Sequence, residues 1–210
     1  MTKYKLLLML CIALIGNLVH AQSFRPAADT EKILADLRKT SQATTSIQAA
    51  FSEEKYLSIL KEPEHSTGLF FYQKNDKMRW EQKTPLKYII LINGDKLRIQ
   101  EAGKEKNVGQ AGRMAAQIKE LMIGLVNGDF QQNTAFSLAC LESNDQYMVV
   151  LTPLNRRLKN IYSKISMVFP RNTLRLKELS FFEKNGDKSI MEFQNEKFNQ
   201  QIDENLFRNF

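Results

Sequence analysis

The sequence predicts a mainly β protein of the α+β class: an open antiparallel sheet of about ten or eleven strands, with helices over one face. Three observations carry that expectation. From Ile47 onward, apolar and polar residues alternate with a period of two in run after run, as half-buried strands require. The pairs Asn93-Gly94 and Asn185-Gly186 each sit between two such runs, where tight hairpin turns belong. Only two stretches of the main body, 30–38 and 113–126, change to helical spacing. The composition agrees. With 210 residues, 43% hydrophobic, 25% charged, 9 Gly and 5 Pro, the chain is neither disordered, collagen-like nor linker-rich, and one domain of this length buries a sizeable core.

The first residues stand outside that pattern. Lys3 and Lys5 precede an apolar run over 6–19, and Val19-His20-Ala21 places small or modest residues at a cleavage site. Residues 1–21 therefore read as a secretory signal peptide, and 22–210 as one exported domain. The apolar run is shorter than the roughly 20 residues of a membrane span. Cys11 lies inside it with no small residue before it, which argues against lipidation. Losing Lys3 and Lys5 takes the net charge from +7 to +5 and leaves one cysteine, Cys140, and one histidine, His65.

In the domain, Thr30 caps a helix whose apolar side is Ile33, Leu34 and Leu37, and the polar stretch 39–46 ends it. Ile47, Ala49 and Phe51 open a strand that 56–60 continues, and Glu62-Pro63-Glu64 turns the chain. Strands follow over 69–72, 77–82, 86–92 and 97–99. After a Gly/Lys-rich loop over 103–112, the second helix carries Met114, Ile118, Leu121, Met122 and Leu125 on one stripe, widened by Ile123 and Val126, and Gly128 stops it. Strands resume over 136–141, 147–151, 161–169, 174–182 and 189–193. In the run 174–182, Leu174 and Leu176 are out of phase with Leu179 and Phe181, which predicts a bulge near Lys177-Glu178.

Little here resembles a catalytic centre. One histidine cannot build a paired-His metal site, and it makes a His-based triad improbable. His65 reads as a solvated turn residue and Cys140 as a buried, inert thiol. No Walker loop or dinucleotide fingerprint is present. The tripeptide Asn-Gly-Asp at 93–95, 127–129 and 185–187 is two turns and a helix stop, not three calcium sites. Basic residues are interspersed with acidic ones, so nucleic acid is a poor partner. The expectation is a monomeric binding protein without a cofactor.

What does stand out is the placement of large soft side chains. Met78, Trp80, Tyr88, Met148, Met167 and Met191 recur on predicted strands, and Met114 and Met122 on the central helix. They fit either an ordinary core or an apolar cavity between sheet and helices, where thioethers tolerate variable packing.

The run from Gly68 through Phe70-Phe71-Tyr72 to Met78-Arg79-Trp80-Glu81 resembles the signature of the LolA-type lipoprotein carriers. Pro85, the hairpin around Asn93-Gly94, the turn at Asn185-Gly186, the segment Met191-Glu192-Phe193-Gln194-Asn195, Asn199 and Phe207 fit the same family in order and spacing. The resemblance implies an incomplete β-barrel lidded by helices over an apolar cavity. It implies a periplasmic protein that takes an acylated lipoprotein from an inner-membrane releasing transporter and shields its chains on the way to the outer membrane, without covalent chemistry. On that resemblance the cavity comprises Phe51, Phe70, Tyr72, Met78, Trp80, Tyr88 and Ile90. The lid carries Met114, Ile118, Leu121, Met122 and Leu125, and Lys74 and Arg79 are candidates for a lid lock. The chain departs from the family where Lys74-Asn75 replaces an Arg-Pro turn and where Gln100 replaces an aromatic residue. A carrier of another lipid or acylated product, and a non-carrier envelope adaptor, are therefore the alternatives.

Overall fold

The computed structural model describes residues 23–107 and 135–210. The signal peptide and the central helix expected over 113–126 lie outside the described residues. Within them the chain forms β1 (Arg25–Pro26), α1 (Thr30–Gln42), β2 (Ser46–Tyr56), β3 (Glu64–Gln73), β4 (Lys77–Thr84), β5 (Tyr88–Asn93), β6 (Lys96–Glu101) and β7 (Lys104–Lys106). It continues through β8 (Phe136–Glu142), β9 (Gln146–Pro153), the short helix α2 (Arg156–Lys159), β10 (Tyr162–Pro170), β11 (Glu178–Glu183), β12 (Lys188–Phe198) and a closing 3-10 turn, Glu204–Phe207.

The twelve strands make one antiparallel sheet in the order β1-β8-β9-β10-β11-β12-β2-β3-β4-β5-β6-β7. Two meanders, β2–β7 and β8–β12, are joined where β12 pairs along β2. The outermost strands β1 and β7 do not pair with each other, so the sheet is open. The open antiparallel sheet expected from the sequence is thus present. Two short edge strands, β1 and β7, lack the apolar alternation that would have shown them, and raise the count.

Alternation decides the two faces. The inner face carries the core: Ile47, Ala49 and Phe51 of β2 sit opposite Tyr72, Phe70 and Gly68 of β3, and these opposite Met78, Trp80 and Gln82 of β4. Met167 and Phe169 of β10 and Leu179 of β11 extend the same cluster, and α1 adds Ile33, Leu34 and Leu37. The outer face of β3–β6 holds the C-terminal segment. Phe207 and Leu91 are buried there. Arg79 donates to the carbonyls of Leu206 and Asn209, Lys77 pairs with Glu204 at 2.6 Å, and Arg98 donates to the Arg208 carbonyl.

Several local expectations are corrected. The α1 cap is Asp29, whose carboxylate accepts from the Lys32 amide at 2.9 Å; it supplies an acceptor one residue earlier than Thr30. Strand β2 ends at Tyr56, and the apolar residues Ile59 and Leu60 sit exposed in the following loop. Strand β3 begins at Glu64, so His65 is an exposed strand residue, 3.8 Å from Glu54. Strand β5 begins at Tyr88, leaving Leu86 exposed. The run 174–182 is a strand only from Glu178, because Leu174 takes a left-handed φ of 55°. The phase break falls where expected, but as irregular chain leading into β11.

A bulge in β12 was not visible in the sequence. Phe193 pairs with Phe51 and Phe198 with Ile47, so β12 spends one more residue than β2 between those pairs. Asn195, at φ 55°, absorbs it, and both phenylalanines face inward.

Gly68 is required by a close approach. A Cβ there would collide with the Glu81 carbonyl oxygen and with the Phe51 ring, which lies across the glycine. Gly68→Ala is therefore expected to lose about 1–3 kcal/mol of stability through overpacking. The sole tryptophan, Trp80, stacks on Phe51 and reports the change. Urea denaturation followed by its emission measures both, and an unchanged midpoint with an unchanged spectrum would show that the ring is free to move aside.

Candidate functional site

The inner face concentrates its aromatic residues at one place. Phe51 reaches across Gly68 to Trp80, ring centroids 4.2 Å apart. Phe70 meets Trp80 edge-on at 5.9 Å and Phe193 at 5.8 Å. Phe193 also meets Trp80 at 6.3 Å, nearly perpendicular. Such tilted and edge contacts each add about 0.5–1.5 kcal/mol beyond area burial. The cluster draws on β2, β3, β4 and β12, so four strands converge on one apolar surface.

Of the residues predicted for the cavity, Phe51, Phe70, Tyr72, Met78 and Trp80 are all buried in this cluster. Ile90 packs against it half-buried. Tyr88 pairs with Gln82 on the same row, and its hydroxyl pKa is raised by burial and then by Glu101. The Tyr72 hydroxyl is pushed up to about 12, again chiefly by burial, so it stays neutral. The lid residues Met114, Ile118, Leu121, Met122 and Leu125 lie outside the described residues.

The two candidate lock residues are separated. Lys74, in the β3–β4 turn, donates from Nζ to the Gln42 carbonyl at the end of α1, 2.6 Å away, where a cation also complements the helix dipole. Arg79 projects from the opposite face to Trp80. Its guanidinium is spent on Glu81, 2.9 Å away, and on the C-terminal carbonyls. The structure does not bring Arg79 together with Lys74.

A small apolar cavity of about 70 Å³ opens at the α1 end of the inner face. Ile47, Phe70, Phe169, Leu176, Phe193 and Phe198 line it, and Thr44, Arg175 and Glu196 stand at its edge. Arg175 lies over the Phe198 ring at 3.5 Å and reaches the Thr44 hydroxyl at 3.5 Å. Among the described residues no carboxylate pairs with it, and burial alone lowers its pKa. Sequence reading missed Phe169, Arg175, Phe193 and Phe198 as site residues. Alternation was a signal for the phenylalanines, but the bulge at Asn195 breaks it between Phe193 and Phe198; for Arg175 there was none.

Among the described residues no acid–base pair stands out on this face. Cys140 is buried, with its thiol pKa pushed up by burial, and it hydrogen-bonds Thr30. Among the described residues the arrangement offers an apolar surface, aromatic planes and, at the rim, the Arg175 cation and the Glu196 carboxylate. Those are means of holding an apolar chain.

The chain matches the family model of the outer membrane lipoprotein carrier protein LolA over residues 42–209. No curated protein matches it significantly in sequence. It is similar to a LolA superfamily protein from Nitrosomonas europaea, with 13% identity, 86% of this chain and 98% of that one covered, and a TM-score of 0.43. It is similar to a chain of the Pseudomonas aeruginosa MucA/MucB complex, with 13% identity, 87% and 62% covered, and a TM-score of 0.46. It is also similar to the lipoprotein LppX of Mycobacterium tuberculosis, with 11% identity, 83% and 99% covered, and a TM-score of 0.44.

Phe193 tests the cluster. Phe193→Ala removes a ring that touches both Phe70 and Trp80 and is expected to cost about 3–5 kcal/mol. Chemical denaturation measures it; a loss under about 1 kcal/mol would place the ring outside the packed core.

Proposed function

The chain belongs to the LolA family of outer membrane lipoprotein carrier proteins, and from that premise we propose that it carries acyl chains through the periplasm on its inner face. Residues 1–21 direct export and are removed. An inner-membrane releasing transporter hands over an acylated lipoprotein, the carrier shields its chains, and an outer-membrane acceptor takes them. The protein acts as a monomer and makes no covalent bond to its cargo. The observation that carries this reading is the continuous apolar surface around Trp80, shared by four strands.

Magnitudes support binding with release. Acyl burial contributes about 0.8 kcal/mol per CH₂, so a fully sheltered chain of roughly sixteen carbons gains on the order of 13 kcal/mol. A carrier holding cargo that tightly would not let go. The cavity of about 70 Å³ is about half the roughly 150 Å³ of an engineered cavity that binds one benzene, too small for such a chain. Loading must therefore part elements that pack together when the protein is empty, and that cost lowers the net affinity. In this reading α1 and a helix over 113–126 are the lid. Met114, Ile118, Leu121, Met122 and Leu125 exchange contacts with the sheet for contacts with cargo. Lys74 holds α1 shut through the Gln42 carbonyl, as a point charge rather than a fork of donors.

A second reading is favoured by Arg175. A half-buried cation that no carboxylate pairs with among the described residues, although Glu196 lines the same apolar cavity, suits an acylated product that carries an anion better than a neutral acyl group. Cargo of that kind makes the protein a LolA-like carrier of another lipid.

Incubation of the purified protein with spheroplasts of its host decides between them. Lipoproteins released into a soluble complex, with Trp80 emission quenched by a brominated acyl chain on the cargo, are expected for the first reading. An anionic acyl product recovered by native mass spectrometry, its binding weakened about ten-fold by Arg175→Gln, is expected for the second. Neither cargo bound and Trp80 unquenched would end the carrier proposal.

A further inference from the structure

The four large aliphatic side chains that are exposed among the described residues all lie at one end of the sheet. Ile59 (87% exposed) and Leu60 (45%) are in the β2–β3 loop, Leu86 (64%) in the β4–β5 loop and Leu154 (51%) in the β9–β10 connection. Antiparallel pairing puts these three connections, with the β6–β7 and β11–β12 turns, at the same strand ends. The loops at the opposite end, where the small cavity opens, expose no large aliphatic residue among the described residues.

Hydrogen bonds tie these loops to their neighbours. The Ser58 amide donates to Asp187 in the β11–β12 turn at 2.7 Å. The Lys184 amide donates to the Ile161 carbonyl, and the Ala102 amide to the Lys87 carbonyl, each at 2.9 Å. The rim is therefore a set of braced loops that hold their apolar tips outward.

The same rim is basic. Lys61, Lys87, Arg156, Arg157, Lys159 and Lys184 are exposed on these connections, against two acids, Glu62 and Asp187. Helix α2 shows the design at small scale. Asn155 caps it, Leu158 is buried in the core cluster, and Arg156, Arg157 and Lys159 face solvent.

We propose that this rim is a docking surface for the anionic face of a lipid bilayer, with Ile59, Leu60, Leu86 and Leu154 entering the interface and the cations resting on lipid phosphates. Charge complementarity selects this partner. Apolar tips alone suit many surfaces, but tips interleaved with cations match the layered chemistry of an anionic membrane, where each Lys or Arg near the surface adds attraction and each aliphatic tip leaves water. The inference stands apart from the carrier reading, since it concerns the loops and not the inner face.

Sedimentation with vesicles tests it. The purified protein is expected to bind vesicles of phosphatidylcholine with one quarter phosphatidylglycerol about ten-fold better than pure phosphatidylcholine at low salt, with the preference fading at high salt. Arg156→Gln with Arg157→Gln and Lys159→Gln should remove the preference. Ile59→Ser with Leu86→Ser and Leu154→Ser should weaken binding to both vesicle types. Trp80 emission and the denaturation midpoint, unchanged in both variants, keep the comparison to folded protein. Wild-type protein that stays in solution with the anionic vesicles overturns the proposal, as does binding that both variants retain. Self-association abolished by the serine variant would assign the rim to a second copy of the chain and likewise overturn it.

Discussion

The ring of Phe51 lies across Gly68, and the packing of the inner face depends on that contact. Only a residue without a Cβ lets the ring descend to the backbone of β3 and meet Trp80 on β4. Trp80 in turn touches Phe70 and Phe193, so one missing methyl group links β12, β2, β3 and β4. These are also the strands that join the two meanders. The seam where the sheet's halves meet is thus its most densely aromatic part, and its apolar face is the candidate site.

The C-terminal segment braces the outer face of β4 beside that seam. Arg79 follows Met78 and precedes Trp80, so alternation turns it outward, where it and Lys77 gather the C-terminal segment. Strand β5 is buried on both sides, Ile92 toward the core and Ile89 and Leu91 under the C-terminal turn. A face fixed from behind can exchange what covers it in front without losing its own shape. That division suits a protein whose ligand has no fixed conformation.

How much of this was legible follows from which interactions are local. The period of two and the Asn-Gly turns depend on neighbours in sequence, and they revealed the strands and the open sheet; Phe51, Phe70, Tyr72, Met78 and Trp80 were grouped on the family resemblance, and all five are buried in one cluster. Ile59 and Leu60 satisfied the same pattern but are exposed, because periodicity cannot distinguish a buried apolar residue from one held out on a loop. Phe193 and Phe198 share a face only through an extra residue at Asn195, and no local rule announces that Asn195 turns left-handed. Arg175 acquires its surroundings from Thr44 and Phe198, both far from it in sequence. Alternation turns Arg79 outward, yet its partners, the carbonyls of Leu206 and Asn209, appear only once the C-terminal segment folds back.

The two proposals place different chemistry at opposite ends of one apolar face. Tyr88 and Gln82 lie toward the basic rim, and Ile47 and Phe198 toward the small cavity, with Trp80 and Phe70 between. Strands advance about 3.3 Å per residue, so the four-residue interval from Phe51 to Ile47 spans about 13 Å, the length of roughly ten methylenes at about 1.3 Å each. A chain drawn from a membrane at the rim would lie along the aromatic cluster and reach the cavity with its far end. In that orientation Arg175 reads a group at the chain's far end, and a neutral methyl end gives it nothing to pair with. Were the chain reversed, an anionic head would meet Arg175 and the methyl end would lie near the rim. The charge at the cavity therefore bears on direction as well as on cargo: an anion at Arg175 requires the head to travel deepest, which a carrier loading from a bilayer achieves only by taking the head group first.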